Sequence, residues 1–114
     1  MLRLFGLASC DSCRRARKAL EARGETVETL DLRRLAERGE LETLLTRWLA
    51  AHDWCDLLNR RSTTWRNLPE TERKGLDRDR ALALMNAHPA LIRRPLLDTG
   101  ETILIGPAVA EYSR

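Results

Sequence analysis

The feature that most constrains this chain is a double change of hydrophobic period between residues 2 and 32. LRLFG at 2–6 alternates around β-favouring residues and stops at Gly6, which predicts a short strand. From Asp11 or Ser12 to about Ala22 the apolar spacing becomes helical. Cys13, Ala16, Ala19 and Leu20 recur near i, i+3 and i+4, and Gly24 is placed to cap the end. TVETLDL at 26–32 then reads as a second strand, with Val27 and Leu30 facing inward. A strand, a helix and a strand in this order imply parallel pairing through a right-handed crossover.

The middle of the chain is helical in pattern. Leu41, Leu44, Leu45, Trp48 and Leu49 form an amphipathic stripe that predicts a helix over about 38–51. A break at His52-Asp53 leads to a helical turn at 54–58 (WCDLL), and NRRSTTWRNLPE at 59–70 is polar and loop-like. A further helix over about 78–87 carries Ala81, Leu82, Leu84 and Met85 and ends before Pro89, because proline restricts its predecessor. PLLD (95–98) and TILIG (102–106) read as strands joined at Thr99-Gly100-Glu101 in a β-hairpin, with a short helix at 107–112 closing the chain. The order matches an α/β, thioredoxin-like fold with a mixed four-stranded sheet. The expectation is one domain over 1–114, interrupted by a helical insertion at about 35–90.

Composition excludes some classes of function. Hydrophobic residues make up 43% and charged residues 32%, the profile of a folded globular chain. The net charge of +3 is too small to imply nucleic-acid binding by itself. The apolar start, MLRLFGLAS, is too short for a signal peptide, and no apolar run approaches the roughly 18 residues of a membrane span. Three cysteines, two of them close together, do not form a disulfide scaffold. A cytoplasmic protein with free or reactive thiols is expected, with no direct nucleic-acid contact and no membrane contact.

Cys10-Asp11-Ser12-Cys13 carries the chemistry. Placed between the first strand and the helix, the Cys10 sulfur lies where free N–H groups and the helix dipole favour negative charge. Arg14, Arg15, Arg17 and Lys18 follow within two turns. Both effects lower a thiol pKa, and the thiolate is the reactive form. Cys13, one turn on, is within reach to resolve a mixed disulfide at Cys10. Three other readings stay open: a zinc half-site, two idle thiols, or a stabilising disulfide. Zinc would need two more ligands, and Cys55, His52 and His88 form no second pair. A disulfide closing so small a loop constrains the unfolded chain little.

Arginines cluster at two other places. Arg60, Arg61 and Arg66 lie among hydroxyls in NRRSTTWR, and Arg93 and Arg94 precede Pro95. Guanidinium groups bind carboxylates and oxyanions in bidentate fashion, so these segments are candidates for holding an anionic thiol or an oxyanion. The bland alternative is a solvated surface. Cys55, in the apolar turn WCDLL, is expected to be a small buried hydrophobe. Trp48 is expected in the core, and Trp65 is placed to pack the arginine loop.

These segments together resemble the arsenate reductase-like (ArsC) family. The resemblance runs end to end: LFG, CDSCRRAR, LLNRRSTTWRNL and IRRPLL follow the family motifs in order. The TTWR form is most similar to the YffB-like subgroup, and the C-x-x-C is similar to that of Spx-type regulators. The resemblance implies a thioredoxin fold with a helical insertion and Cys10 as the catalytic thiol. It also implies Arg14, Arg61 and Arg94 as anion- or glutathione-binding groups, and Pro95 as a cis proline against the thiol. Arsenate reductases of the family coupled to glutaredoxin carry an arginine before the last proline and a cysteine loop like C-G-T-S-R. Here Gly106 precedes Pro107, and the loop is CDSCR. Spx-type relatives carry a glycine where Asp53 stands.

The expected function is therefore a glutathione-linked thiol–disulfide oxidoreductase. Cys10 is the nucleophile, Cys13 the possible resolving thiol, and glutathione the co-substrate. No bound cofactor or metal is expected. Possible partners are glutaredoxin or thioredoxin. The rival reading is a redox-switched regulator that binds the RNA polymerase α subunit.

Overall fold

The computed structural model describes residues 2–113. Its chain divides into two compact units, Met1–Leu35 with Arg94–Arg114, and Ala36–Arg93. The first unit holds a four-stranded sheet. Strand β1 (Leu2–Gly6), helix α1 (Asp11–Ala22) and strand β2 (Val27–Asp31) form the predicted crossover, β1 and β2 lying parallel with Leu2 opposite Val27. Strands β3 (Leu96–Asp98) and β4 (Ile103–Ile105) form the predicted hairpin, and β3 pairs antiparallel with β1. The strand order is β2-β1-β3-β4, the mixed thioredoxin-like sheet expected of the sequence.

Alternation decides which residues meet in this unit. Leu2 and Leu4 of β1, Ala16 and Leu20 of α1, Leu97 of β3 and Val109 pack as one buried cluster. Val27, Leu104 and Tyr112 close its margin. On β1, Arg3 pairs with the buried Asp98 at 3.3 Å and stacks over the Phe5 ring. Asp98 Oδ1 also accepts from the Gly100 N–H at 2.8 Å, which anchors the hairpin turn.

In the second unit, α3 (Leu41–Ala51) packs on α7 (Arg78–Ala87). Leu41, Leu45, Trp48, Ala81 and Met85 are each fully buried. The short helices α4 (Trp54–Leu57), α5 (Thr63–Asn67) and α6 (Glu70–Arg73) follow α3 and precede α7 along the chain. A Leu58–Ile92 bridge ties the segment after α4 to the end of the unit.

Several sequence expectations need correction. The strand expected over 26–32 ends at Asp31, Leu32 instead opens a helix, α2 (Leu32–Glu37), and the expected 38–51 helix starts only at Leu41. Gly39, at a φ of 72°, separates the two, a left-handed conformation that stops a helix. The segment 59–70 is not simply a loop, because Ser62 caps α5 by accepting from the Trp65 N–H at 3.1 Å. One turn is too short to display a hydrophobic period. The C-terminal segment is a 3-10 helix, Gly106–Glu111. Cys55 is exposed rather than buried, because it falls on the outer side of the single turn α4 while Leu57 takes the inner side.

Candidate active site

Cys10 is the residue at which an extended chain becomes a helix. Its N–H donates to the Leu7 carbonyl at 3.1 Å, closing a turn after β1, and its own carbonyl accepts from the Arg14 N–H at 3.2 Å. With φ −89° and ψ 111° it is the N-terminal cap of α1, although no side chain closes a full capping hydrogen bond there. The half-buried Cys10 sulfur lies 3.1 Å from Ser12 Oγ. Both Cys10 and Cys13 are free thiols.

The two sulfurs have opposite electrostatics. Partial burial pushes the Cys10 thiol up, but hydrogen bonds outweigh it and bring it down from 9.0 to about 7. The donors are the Cys13 thiol, the Ser12 hydroxyl, the Cys13 N–H and the Arg94 guanidinium. Cys13 moves the other way. Burial, the hydrogen bond it gives to Cys10 and the charge on that sulfur push its thiol up to about 12. The Leu7 backbone and the positive charge of Arg94 offset this only in part. When the pair loses its first proton, the charge therefore falls on Cys10 and Cys13 keeps its proton.

Arg94 reaches Cys10 because of strand register. Phe5 of β1 stands opposite Leu96 of β3, so the residues just before β3 lie beside the chain leaving β1. The Arg94–Pro95 peptide is cis, Pro95 is buried, and its carbonyl accepts from the Gly106 N–H at 2.8 Å. Gly106 has a φ of 64°, a left-handed conformation suited to glycine.

The other expected arginines are placed differently. Arg14 is exposed and forms an ion pair with Asp11 one turn earlier, on the same end of α1 as Cys10. Arg61 belongs to the unit Ala36–Arg93, where its N–H donates to Asn59 Oδ1 at 3.1 Å and the residue is exposed. Arg60 beside it stacks between the rings of Trp54 and Trp65, at 5.6 and 6.0 Å from their centroids. Trp65 thus packs the arginine segment as expected. Among the described residues, no three His, Cys, Asp or Glu side chains gather as a metal would need. No helix among them is long and apolar enough to cross a membrane.

Two residues at the site carry no sequence expectation. Ser12 was legible only as a polar residue in the first turn of a helix. Gly6 reads as the end of a strand, yet it lies directly against Cys13: a Cβ built on it would overlap Cys13 Sγ and sit 3.0 Å from Cys13 Cβ.

Comparison with known proteins agrees with this architecture. The family model described as "ArsC family" matches residues 5–114. The chain belongs to the ArsC family. An uncharacterized protein of Haemophilus influenzae is 33% identical, the match covering 98% of this chain and 96% of that one. Among solved structures, the YFFB protein superposes with a TM-score of 0.88 at 34% identity, covering 98% of this chain and 96% of that one. An arsenate reductase-related protein from Brucella melitensis gives 0.75 at 34% identity, covering 96% and 91%. An arsenate reductase from Vibrio cholerae, 18% identical with a TM-score of 0.73, shares the ArsC-family fold. The Cys10–Cys13 pair in this ArsC-family chain lies at the junction between β1 and α1.

Proposed function

We propose that this chain is a thiol–disulfide oxidoreductase that acts through the Cys10 thiolate and uses glutathione as its co-substrate. The observation that carries the reading is the opposed electrostatics of the two thiols, Cys10 lowered to about 7 and Cys13 raised to about 12. A nucleophilic thiol is most useful when its pKa lies near the ambient pH, and Cys10 meets that condition. The arsenate reductase-related proteins among its relatives support the same class of chemistry.

The reaction follows from the pair. The Cys10 thiolate attacks one sulfur of a substrate disulfide, a new S–S bond forms at Cys10, and the other sulfur leaves as a thiolate. Cys13 then gives its proton to solvent or to that leaving thiolate and attacks Cys10 Sγ. This closes the Cys10–Cys13 disulfide and expels the second substrate thiol. Two glutathione molecules reduce the protein disulfide and leave as glutathione disulfide, so two electrons pass from glutathione to substrate. Arg94 stabilises the charge on Cys10 before attack and again when Cys10 is the leaving sulfur. Arg14, on the same end of α1 as Cys10, would bind a carboxylate of glutathione or of another small anionic substrate. A disulfide substrate suits this chain better than arsenate. By resemblance, glutaredoxin-coupled members carry an arginine before the last proline, where Gly106 stands at a φ of 64°.

The decisive experiment is mass spectrometry of Cys10→Ser and Cys13→Ser variants, both carrying Cys55→Ser, after treatment with glutathione disulfide. Glutathione should be trapped on Cys10 only when Cys13 is absent. A Cys10 alkylation midpoint near the free value of about 8.5, with no turnover on glutathione, would refute the enzyme reading.

The C-x-x-C also supports a second reading, a redox-switched regulator that binds a protein such as the RNA polymerase α subunit. Capture of that subunit that depends on the Cys10–Cys13 oxidation state, in the absence of reductase turnover, would favour the switch.

A further inference from the structure

We infer that Gly6 is a positioning residue for the thiol pair: by lacking a side chain at the end of β1, it admits the Cys13 sulfur to the one place from which that sulfur reaches Cys10. The inference rests on the reading of Cys13 as the partner thiol of Cys10.

The geometry is specific to this pair. Among the described residues, the heavy atoms within 4 Å of a Cβ built on Gly6, apart from its chain neighbours, are both from Cys13. One is the sulfur, in outright overlap, and the other is Cys13 Cβ at 3.0 Å, closer than ordinary van der Waals contact. Gly6 does not have a positive φ; it is the last residue of β1, in parallel register with Asp31. Its backbone therefore does not demand glycine, and the demand comes from Cys13 alone.

What an added methyl group would do follows from rotamer sterics. A cysteine side chain has a single χ1 torsion with three staggered positions, one of them disfavoured within a helix. Overlap at Gly6 removes the position in use, and the cheapest relief is rotation of the sulfur. Rotation carries the S–H away from Cys10, so the hydrogen bond that holds charge on Cys10 is lost, and the attack that closes the disulfide loses its alignment. The neighbouring donors at Cys10, Ser12 Oγ and the Arg94 guanidinium, stay where they are. The effect is thus confined to what Cys13 contributes.

The test compares four proteins, each carrying Cys55→Ser: the parent, Gly6→Ala, Cys13→Ala, and the double variant. Two quantities are read in each: the pH midpoint of Cys10 alkylation, and the products formed in glutathione/glutathione-disulfide buffer. In that buffer, two protein thiols and one glutathione disulfide give one protein disulfide and two glutathione. Gly6→Ala should raise the Cys10 midpoint by about one unit, which lowers its alkylation at pH 7 roughly fivefold. It should also lower the equilibrium yield of the Cys10–Cys13 disulfide by about tenfold, with the glutathione adduct of Cys10 accumulating instead. In the Cys13→Ala background, Gly6→Ala should leave the Cys10 midpoint unchanged.

A Gly6→Ala variant that matches the parent in both quantities overturns the inference. So does a shift of equal size in the Cys13→Ala background, since Gly6 would then act by another route. Should Gly6→Ala fail to fold, recovery of folding by Cys13→Ala supports the overlap, and failure of both variants overturns it. The proposed enzyme activity fails on a separate result, a parent Cys10 that titrates like a free thiol. The disulfide yield still reports on Gly6 in that case.

Discussion

The Arg94 guanidinium, two residues before β3, donates a hydrogen bond to the sulfur of Cys10 at the start of α1. The contact joins the two ends of the chain, and it places a permanent cation beside the group that must carry negative charge. Arg94→Ala should raise the Cys10 pKa, since a hydrogen bond to the charged form favours that form. The guanidinium is the weakest of the four donors, so the rise should be about half a unit to one unit, and alkylation at pH 7 should fall roughly two- to fivefold. Rates of iodoacetamide reaction measured across pH check this. An unchanged midpoint would separate Arg94 from the thiolate.

Ser12 Oγ lies 3.1 Å from the same sulfur. Ser12→Ala removes a donor at an exposed position, so the Cys10 midpoint should rise by less than one unit. Stability should change by no more than about 0.5 kcal/mol, as at other exposed positions. The same alkylation series, paired with urea unfolding, distinguishes a chemical from a structural role.

The opposed shifts of the two thiols make stability depend on pH. Cys10 is depressed from 9.0 to about 7, so its contribution is fully present above pH 9 and is lost as pH falls through 7. Cys13 is raised to about 12, so its contribution is fully present below pH 9 and is lost as pH rises towards 12. Reduced protein should therefore gain stability between pH 7 and 9 through Cys10. Solvent screening of this half-exposed site limits the gain to about 1 kcal/mol. Urea unfolding at stepped pH should show the slope in the parent and not in Cys10→Ser.

Leu20 is fully buried in the cluster that joins α1 to the sheet. Leu20→Ala should destabilise by about 3 kcal/mol, the sum of lost transfer energy and a residual cavity. The urea midpoint should fall while the slope of the transition stays constant. α1 itself should persist, because alanine is the better helix former.

Cys55 is exposed, so Cys55→Ser should change stability by no more than about 0.5 kcal/mol. A native-state maleimide should label Cys55 without unfolding. A large loss of stability would mean that this sulfur is packed after all.

Much of the fold is legible in the sequence, because the signals that define it are local. The period change across residues 2–32 is enough to specify the β1-α1-β2 crossover, and with it the position of Cys10 at a helix start. The α7 span was legible for the same reason, with a sustained apolar stripe and a proline just beyond it. The one-turn helices α5 and α6 were not, since neither is long enough to show a period. Cys55 sat in an apolar string whose inner and outer sides a single turn does not reveal.

What the sequence by itself determined, then, is the crossover, the hairpin and the place of Cys10 at the start of a helix, all set by neighbours within a few turns of chain. Tertiary structure added what the local sequence does not show, the approach of Arg94 to the Cys10 sulfur. Arg94 meets Cys10 because Phe5 pairs with Leu96, and Cys13 meets Cys10 because Gly6 leaves room beneath it. Strand register between segments distant in sequence produces the Arg94 contact, which no spacing along the chain encodes, whereas the C-x-x-C spacing already brings Cys13 within a turn of Cys10.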